Sequence, residues 1–176
     1  EMITSFTDQV VMVRLTADAP GKITFNAVLT TPHQDALIAT DGDCVTLSGV
    51  SSWHEGLKGK VEFQGRLATK IKGGNSCCKD GVLLVENADE AVVYVSIATN
   101  FNNYQDITGD QVQRAKDYLT KALKQDYREA KKSHVAFFKQ YMDRVSLDLG
   151  ANKEEMVTTD MRVQNFGNTN DAHLVG

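Results

Sequence analysis

Residues 91–123 decide the predicted fold, and they read AVVYVSIATN FNNYQDITGD QVQRAKDYLT KAL. From Ala91 to Ala98 almost every position is apolar, which is typical of a strand covered on both faces in the middle of a sheet. From Val112 to Leu123 apolar residues recur every three to four positions, as on an amphipathic helix. The hydrophobic period therefore changes once, near Asn102, and the chain is predicted to pass from a β-domain into helices.

Alternating apolar and polar residues predict the other strands of the β-domain. Gln9–Ala17 and Ile23–Leu29 flank the turn Pro20-Gly21, and we interpret them as a hairpin. The clearest alternation runs over Lys60–Ile71. Such a pattern predicts one buried and one wet face. The residues expected to face the core are Val61, Phe63, Gly65 and Leu67, and those expected to face water are Lys60, Glu62, Gln64 and Arg66.

Further strands are predicted around short turns. Asp41-Gly42 separates strand-like residues 37–38 from 45–47, and residues 82–85 precede the strand at Ala91. At least six strands joined by short turns are typical of an antiparallel β-sandwich. The predicted fold class is therefore mainly β, with a sandwich followed by helices.

The helical part begins at a capping-box pattern, with Thr108 as N-cap and Gln111 three residues later. A break near Gln125-Asp126 predicts two helices, which we expect to pair and to pack on a sheet face or on a partner. Residues 145–150 predict a short strand ended by glycine, and the periodicity fades beyond Ala151. The predicted division is a sandwich domain over 1–105, a two-helix linker over 106–145, and a short strand with a polar segment over 146–176.

Composition bounds the possible functions. The chain has 176 residues, with 19 basic and 23 acidic side chains, a net charge of −4 and no basic cluster. That balance argues against nucleic acid as a partner, and no apolar stretch is long enough for a membrane span. Cys44, Cys77 and Cys78 form no CxxC motif, so we predict packing residues and neither a metal site nor a cofactor.

The loop Ser51–Gly56 is the candidate binding site because it joins the single tryptophan to a histidine and a carboxylate. Trp53 can stack on a sugar ring, and Glu55 beside His54 can bind hydroxyl groups. The alternative is that Trp53 is a core or rim aromatic and that His54-Glu55 is an exposed turn. Glycoside hydrolysis needs two facing carboxyl groups, and linear spacing identifies no such pair, so no catalytic residue is predicted.

Four stretches of the chain are informative when taken together: Phe6–Leu15, His54–Phe63, Ala98–Phe101 with Tyr104 and Gly109-Asp110, and Asp143–Gly150. In this order they resemble one family of enzymes, the inverting α-L-fucosidases of glycoside hydrolase family 95. The first two are similar to the entry of its N-terminal domain and to its glycine-flanked loop with the following long strand. The others are similar to its junction from sheet to helix and to the element after its linker helices.

The resemblance implies a sandwich that is part of a larger supersandwich and that is joined by helices to an (α/α)6 catalytic barrel. The chain ends about where that barrel is expected, so we expect a non-catalytic portion whose partner is its own catalytic domain. Full-length relatives remove α-1,2-linked L-fucose from glycans with inversion, which implies fucosylated glycans as ligands and a secreted or periplasmic location. Two alternatives stay open: a free-standing carbohydrate-binding module, and an interaction domain that docks through Tyr127, Phe138 and Tyr141.

Overall fold

The structure of the chain is a computed structural model that describes residues 1–148, 156–168, 171 and 174. It divides into two compact units, residues 1–138 and 139–176. The strands are β1 (Met2–Ser5), β2 (Val10–Thr16), β3 (Ile23–Val28), β4 (Leu37–Asp41), β5 (Cys44–Val50), β6 (Glu62–Lys72), β7 (Asn75–Lys79), β8 (Val82–Ala88) and β9 (Glu90–Thr99). The helices are α1 (Gln111–Leu123), α2 (Tyr127–Met142) and α3 (Thr159–Asn165).

The strands form two antiparallel sheets in the first unit. The larger sheet has six strands in the order β1-β2-β9-β6-β5-β4, and the smaller has three in the order β3-β8-β7. An apolar core between them includes Val45, Leu67, Leu83, Val85 and Val93. The prediction of a mainly β, antiparallel sandwich followed by helices is confirmed.

Strand β9 lies inside the larger sheet and is buried on both faces, as its apolar sequence predicted. Ala91 and Val93 belong to the core between the sheets. Val92 and Tyr94 belong to a second core on the opposite face, shared with Leu119 of α1. Successive side chains of a strand point to opposite faces, so one strand contributes to both cores.

Helix α1 packs on β9 and β6 and makes this second core. Its N-cap is Asp110, whose carboxylate accepts a hydrogen bond of 2.9 Å from the Gln113 backbone N–H. The predicted cap at Thr108 is wrong, because the Thr108 hydroxyl instead donates to the Asp106 carboxylate at 2.7 Å. Threonine and aspartate are both favoured at the N-cap position. The capping-box pattern selected Thr108, which lies two residues before the observed cap.

Helix α2 continues from α1 after the predicted break. Its residues Tyr127 and Ala130 are buried in the second core. The Arg14 guanidinium lies 5.7 Å from the centre of the Tyr127 ring, and Phe137 stacks on Phe6 with ring centres 4.4 Å apart. The start of α2 therefore packs on the sheet, which is one of the two arrangements that its apolar face predicted. The expected pairing of the two helices is wrong, because α1 packs on β6 and β9 and does not lie along α2.

The predicted hairpin of β2 with β3 is wrong. Strand β2 pairs with β1 and β9, whereas β3 pairs with β8 in the other sheet. The turn at Pro20-Gly21 therefore carries the chain from one sheet to the other. Gly21 adopts a left-handed φ of 69°, and its N–H donates to the Asp89 carboxylate at 2.7 Å. Alternation identifies a strand and its faces but does not identify its partner.

The prediction that one face of β6 is exposed to solvent is also wrong for the middle of the strand. Gln64 and Arg66 are only 6% and 5% exposed, because the face that carries them lies under α1. Arg66 donates to the Gln64 side chain at 3.1 Å and to the Asp41 carboxylate. Its hydrogen bond lowers the pKa of Asp41 below the ordinary value. Polar partners thus allow a polar face to be covered by a helix.

The smaller sheet leaves part of the larger sheet's inner face uncovered. Ile97 is 65% exposed although it belongs to the inner strand β9. It lines an apolar hollow of about 250 Å³ together with Leu29, Leu47 and Phe63. Met2, on the same sheet, is 69% exposed. The sandwich is therefore only partly closed.

In the second unit, the predicted short strand over 145–150 is wrong for residues 145–148, which join no sheet. Residues 149–150 lie outside the described residues. A short apolar alternation forms a strand only where another backbone pairs with it.

The polar segment predicted beyond Ala151 contains α3 and a short 3-10 helix over Phe166–Asn168. Arg162 holds the buried Asp171 by two hydrogen bonds of 2.7 and 2.8 Å. The predicted division at 105 and 145 stays a prediction.

None of the helices in the described ranges combines the length and the apolar composition that a bilayer crossing requires.

Leu119 links α1 to the sheet, and its truncation tests that contact. Leu119 is 2% exposed, so Leu119→Ala should lower the free energy of unfolding by about 2–5 kcal/mol. Val112→Ala on the same helix is the control, because Val112 is 43% exposed and its truncation should cost less than about 0.5 kcal/mol. Urea unfolding measures both, and equal effects would contradict the packing described for α1.

The ion pair of Arg14 with Glu90 makes stability depend on pH. Two hydrogen bonds of 3.1 and 2.9 Å from Arg14 lower the pKa of Glu90 from 4.5 to about 2. Because the folded pKa is the lower one, the stabilisation is complete above about pH 4.5 and is lost as the pH falls towards 2. With solvent screening it amounts to about 1–2 kcal/mol.

Glu90→Gln should therefore destabilise the protein at pH 7 and have little effect near pH 2, as measured by urea unfolding across that range. Glu86→Gln, at an exposed position, is the charge-matched control. A Glu90→Gln deficit that is the same at both pH values would contradict the ion-pair account.

Candidate functional site

The long loops leave one end of the larger sheet, and they carry exposed aromatic and apolar side chains. Loop 51–61 joins β5 to β6, and loop 100–110 joins β9 to α1; the Asn100 N–H donates to the Glu62 carbonyl at 3.0 Å. The opposite end is closed by tight turns, such as Gly73-Gly74. The exposed side chains of the loop end are Phe6, Trp53, Leu57, Phe101 and Tyr104, between 47% and 87% exposed.

A cleft of about 440 Å³ lies between loop 51–61 and the loop that joins β3 to β4. Val50 and Pro32 give it apolar surface beside the ring of Trp53. Polar side chains complete the wall of the cleft. The full lining is Pro32, Gln34, Asp35, Val50, Ser51, Ser52, Trp53, Lys58 and Gly59.

Hydrogen bonds hold the two loops of the cleft together. His33 Nδ1 lies 2.7 Å from the Ser52 hydroxyl, and the His33 ring lies 5.1 Å from that of Phe63 on β6. The Ser51 N–H donates to the Val61 carbonyl at 2.8 Å, which closes the base of loop 51–61. The contact of His33 with Ser52 joins loop 51–61 to the β3–β4 loop, which passes from the smaller sheet to the larger one.

Gly59 is required where loop 51–61 folds back on itself. A Cβ atom at this position would lie 1.8 Å from the Ser51 carbonyl oxygen and 2.4 Å from its hydroxyl. No side chain fits at those distances. The close approach explains why glycine stands at this point of the cleft wall.

The structure separates the three residues predicted as a binding site. Trp53 lines the cleft and is 67% exposed. His54 and Glu55 lie outside the lining, with side chains 89% and 84% exposed. They occupy a turn in which His54 and Leu57 exchange backbone hydrogen bonds of 3.0 and 2.9 Å. Their role in binding stays a prediction.

Sequence reasoning missed the polar residues of the cleft. Gln34 and Asp35 come from a loop that is distant from Trp53 in the chain, and Lys58 follows an exposed turn. Neither loop has a motif, and a pairing of loops across two sheets leaves no periodic signal. The uncommon tryptophan was the only feature that marked the place.

The cleft has the chemistry of a binding site. Apolar surface with a few convergent polar groups is typical of small-molecule sites. Asp35 accepts hydrogen bonds, Lys58 donates them and Gln34 does both. Among the lining residues Asp35 alone carries a carboxylate, whereas glycoside hydrolysis uses two. Within the described ranges, no His, Cys, Asp and Glu side chains group so as to hold a metal ion.

The three cysteines differ in burial. Cys77 is exposed on β7, whereas Cys78 and Cys44 are partly buried, and all are free thiols. Burial raises the pKa of Cys78 to about 11 and also raises that of Cys44. Because the thiolate is the reactive form, these two thiols are chemically quiet at neutral pH.

Comparison with known proteins places the sheets in a family. A family model described as glycosyl hydrolase family 65, N-terminal domain, matches residues 1–104. The chain belongs to this family. The matched part of this glycosyl hydrolase N-terminal domain contains every strand of the described residues and the whole cleft. No curated protein matches the chain.

Gly59→Ala tests the shape of the cleft wall. The added Cβ must push loop 51–61 away from Ser51, which should cost about 1–3 kcal/mol of stability and shift the NMR signal of the Trp53 indole N–H. Lys60→Ala, at the exposed neighbouring position, should change neither. Thermal unfolding and a 15N–1H spectrum measure the two effects; an unmoved indole signal would contradict this loop geometry.

Proposed function

We propose that this chain is the non-catalytic N-terminal portion of an inverting α-L-fucosidase similar to glycoside hydrolase family 95, and that it supports the catalytic barrel. The observation that carries the proposal is the match of residues 1–104 to an N-terminal domain of glycosyl hydrolases. The narrower assignment to a fucosidase draws on the four stretches that resemble family 95. The secreted or periplasmic location belongs to the same proposal.

Exposed apolar surface supports the idea of a supporting domain. Leu57 and Tyr104 are 75% and 87% exposed at one end of the sandwich. Ile97 is exposed on an inner strand, where a closed sandwich would cover it. Clustered apolar side chains on a folded surface mark interaction sites. A catalytic domain that covers the loop end would bury these side chains.

The proposed reaction assigns chemistry and support to different parts of the parent protein. In an inverting glycosidase a carboxylic acid protonates the leaving oxygen while a carboxylate activates water on the opposite face of the sugar. Both groups would belong to the barrel. The present chain would hold the barrel in place, and Trp53 with its cleft would border the path of the glycan.

A carbohydrate-binding module is the second candidate, and the cleft beside Trp53 is the observation that favours it. A module of this kind would bind sugar without the barrel. The third possibility, an interaction domain, draws on Phe138 and Tyr141, which are 52% and 56% exposed on α2. Tyr127, the third residue expected on that docking face, is wrong for this role because it is buried in the second core.

The parent protein that contains this chain tests the fucosidase proposal. We expect it to release L-fucose from 2′-fucosyllactose, and 1H NMR of the first product should show the β-anomer, because inversion changes the configuration of the α-linkage. A panel of α-glucosides is the substrate control. If the parent protein released another sugar and no fucose, the fucosidase assignment would be wrong, but the broader assignment to the glycosidases would stand. A first product with the α-configuration would show that the enzyme retains the anomeric configuration and would contradict inversion.

A further inference from the structure

We propose that the cleft between loop 51–61 and the β3–β4 loop is a binding site for one pyranose unit of a neutral saccharide, with Trp53 as the stacking platform. This site goes beyond the supporting role proposed above. It does not depend on the parent being a fucosidase, because it follows from the geometry of this chain alone.

The first step is the position of Trp53. Its indole is 67% exposed and lies in the cleft lining beside Val50 and Pro32. An apolar ring of this size left in water is an unfavourable surface, and its burial stabilises a complex. The C–H face of a pyranose is flat and apolar and covers such a ring, while its hydroxyl groups point to the side.

The second step is the set of polar groups that would meet those hydroxyl groups. Gln34, Asp35 and Lys58 line the same cleft. In the part of the chain that the structure describes, none of the three makes a hydrogen bond or an ion pair. They supply acceptors from the carboxylate, donors from the ammonium and both from the amide. Vicinal hydroxyl groups need this mixture of donors and acceptors.

The third step is charge and size. The carboxylate of Asp35 and the ammonium of Lys58 offset each other, so the lining has no net charge and favours a neutral ligand over a phosphate or an acidic sugar. The volume of about 440 Å³ lies within the usual range for small-ligand sites, about 300–1,000 Å³.

The fourth step is preorganisation. The contact of His33 with Ser52 at 2.7 Å joins the two walls before any ligand binds, and the close approach of Gly59 to Ser51 shapes the wall made by loop 51–61. A wall that is already ordered loses less conformational entropy on binding. His33 and Ser52 therefore position the site, and the contacts to sugar come from Trp53, Asp35, Gln34 and Lys58.

The experiment is a 15N–1H NMR titration of the 176-residue chain with methyl α-L-fucopyranoside, methyl α-D-glucopyranoside and 2′-fucosyllactose. The chain has one tryptophan, so the single indole N–H signal reports this cleft. We expect saturable shifts of that signal and of Asp35 and Lys58. Inorganic phosphate and glucuronic acid, the anionic probes, should bind at least about tenfold more weakly, a difference of about 1.4 kcal/mol.

Substitutions locate the site. Trp53→Ala, Asp35→Asn and Lys58→Ala should each weaken binding by about tenfold or more, the effect of losing one good contact. Lys60→Ala and Asp18→Asn are the matched controls, since both residues are exposed and lie outside the lining, and they should change affinity by less than about twofold. Backbone signals that match the unsubstituted protein show that each variant is folded.

Three results would overturn the proposal: no saturable shift with any saccharide, tighter binding of the anionic probes, or an equal loss of affinity in the control variants. If Trp53→Ala unfolds the chain, Asp35→Asn and Lys58→Ala decide the question. The parent's fucosidase activity is measured separately, so a chain that binds no sugar leaves that proposal standing, and a parent without activity leaves this site standing.

Discussion

The double burial of β9 is the constraint on which the rest of the structure depends. Ala91 and Val93 pack against the smaller sheet, and Val92 and Tyr94 pack under α1. A strand in this position has no face left for water, so its sequence must be apolar throughout. Because one strand serves both cores, a change of its register by one residue would exchange the two sets of side chains and disturb both layers. The sandwich and α1 are therefore packed on opposite faces of the same strand.

The two ends of the larger sheet differ in how their strands are connected. At one end tight turns such as Gly73-Gly74 connect the strands with little exposed apolar surface. At the other end long loops line the cleft, and the contact of His33 with Ser52 joins its two walls. Binding residues on loops that a rigid scaffold positions are common in proteins. The match to a glycosyl hydrolase N-terminal domain covers residues 1–104, so this loop end belongs to the part of the chain that defines the family.

The sequence predicted most strands, both helices of the linker and the burial of β9, because these follow from period and turn residues. It missed the short strands β1 and β7, which have too few residues for a periodic signal, and it paired β2 with β3 because pairing depends on tertiary packing. Gln64 and Arg66 looked solvent-exposed because their polarity does not reveal that α1 covers them. At the site, Trp53 was predictable because it is the only tryptophan. Gln34 and Asp35 were not predictable, because only the tertiary fold brings the β3–β4 loop next to Trp53.

The unequal burial of the three thiols has a practical consequence. A maleimide reacts with thiolate, and near pH 7 the raised pKa values of Cys44 and Cys78 leave these two side chains almost entirely protonated. Cys77 is exposed on β7, so it is the preferred point of attachment. The unmodified sequence thus already provides a single chemical handle for fixing the molecule to a sensor surface in one orientation.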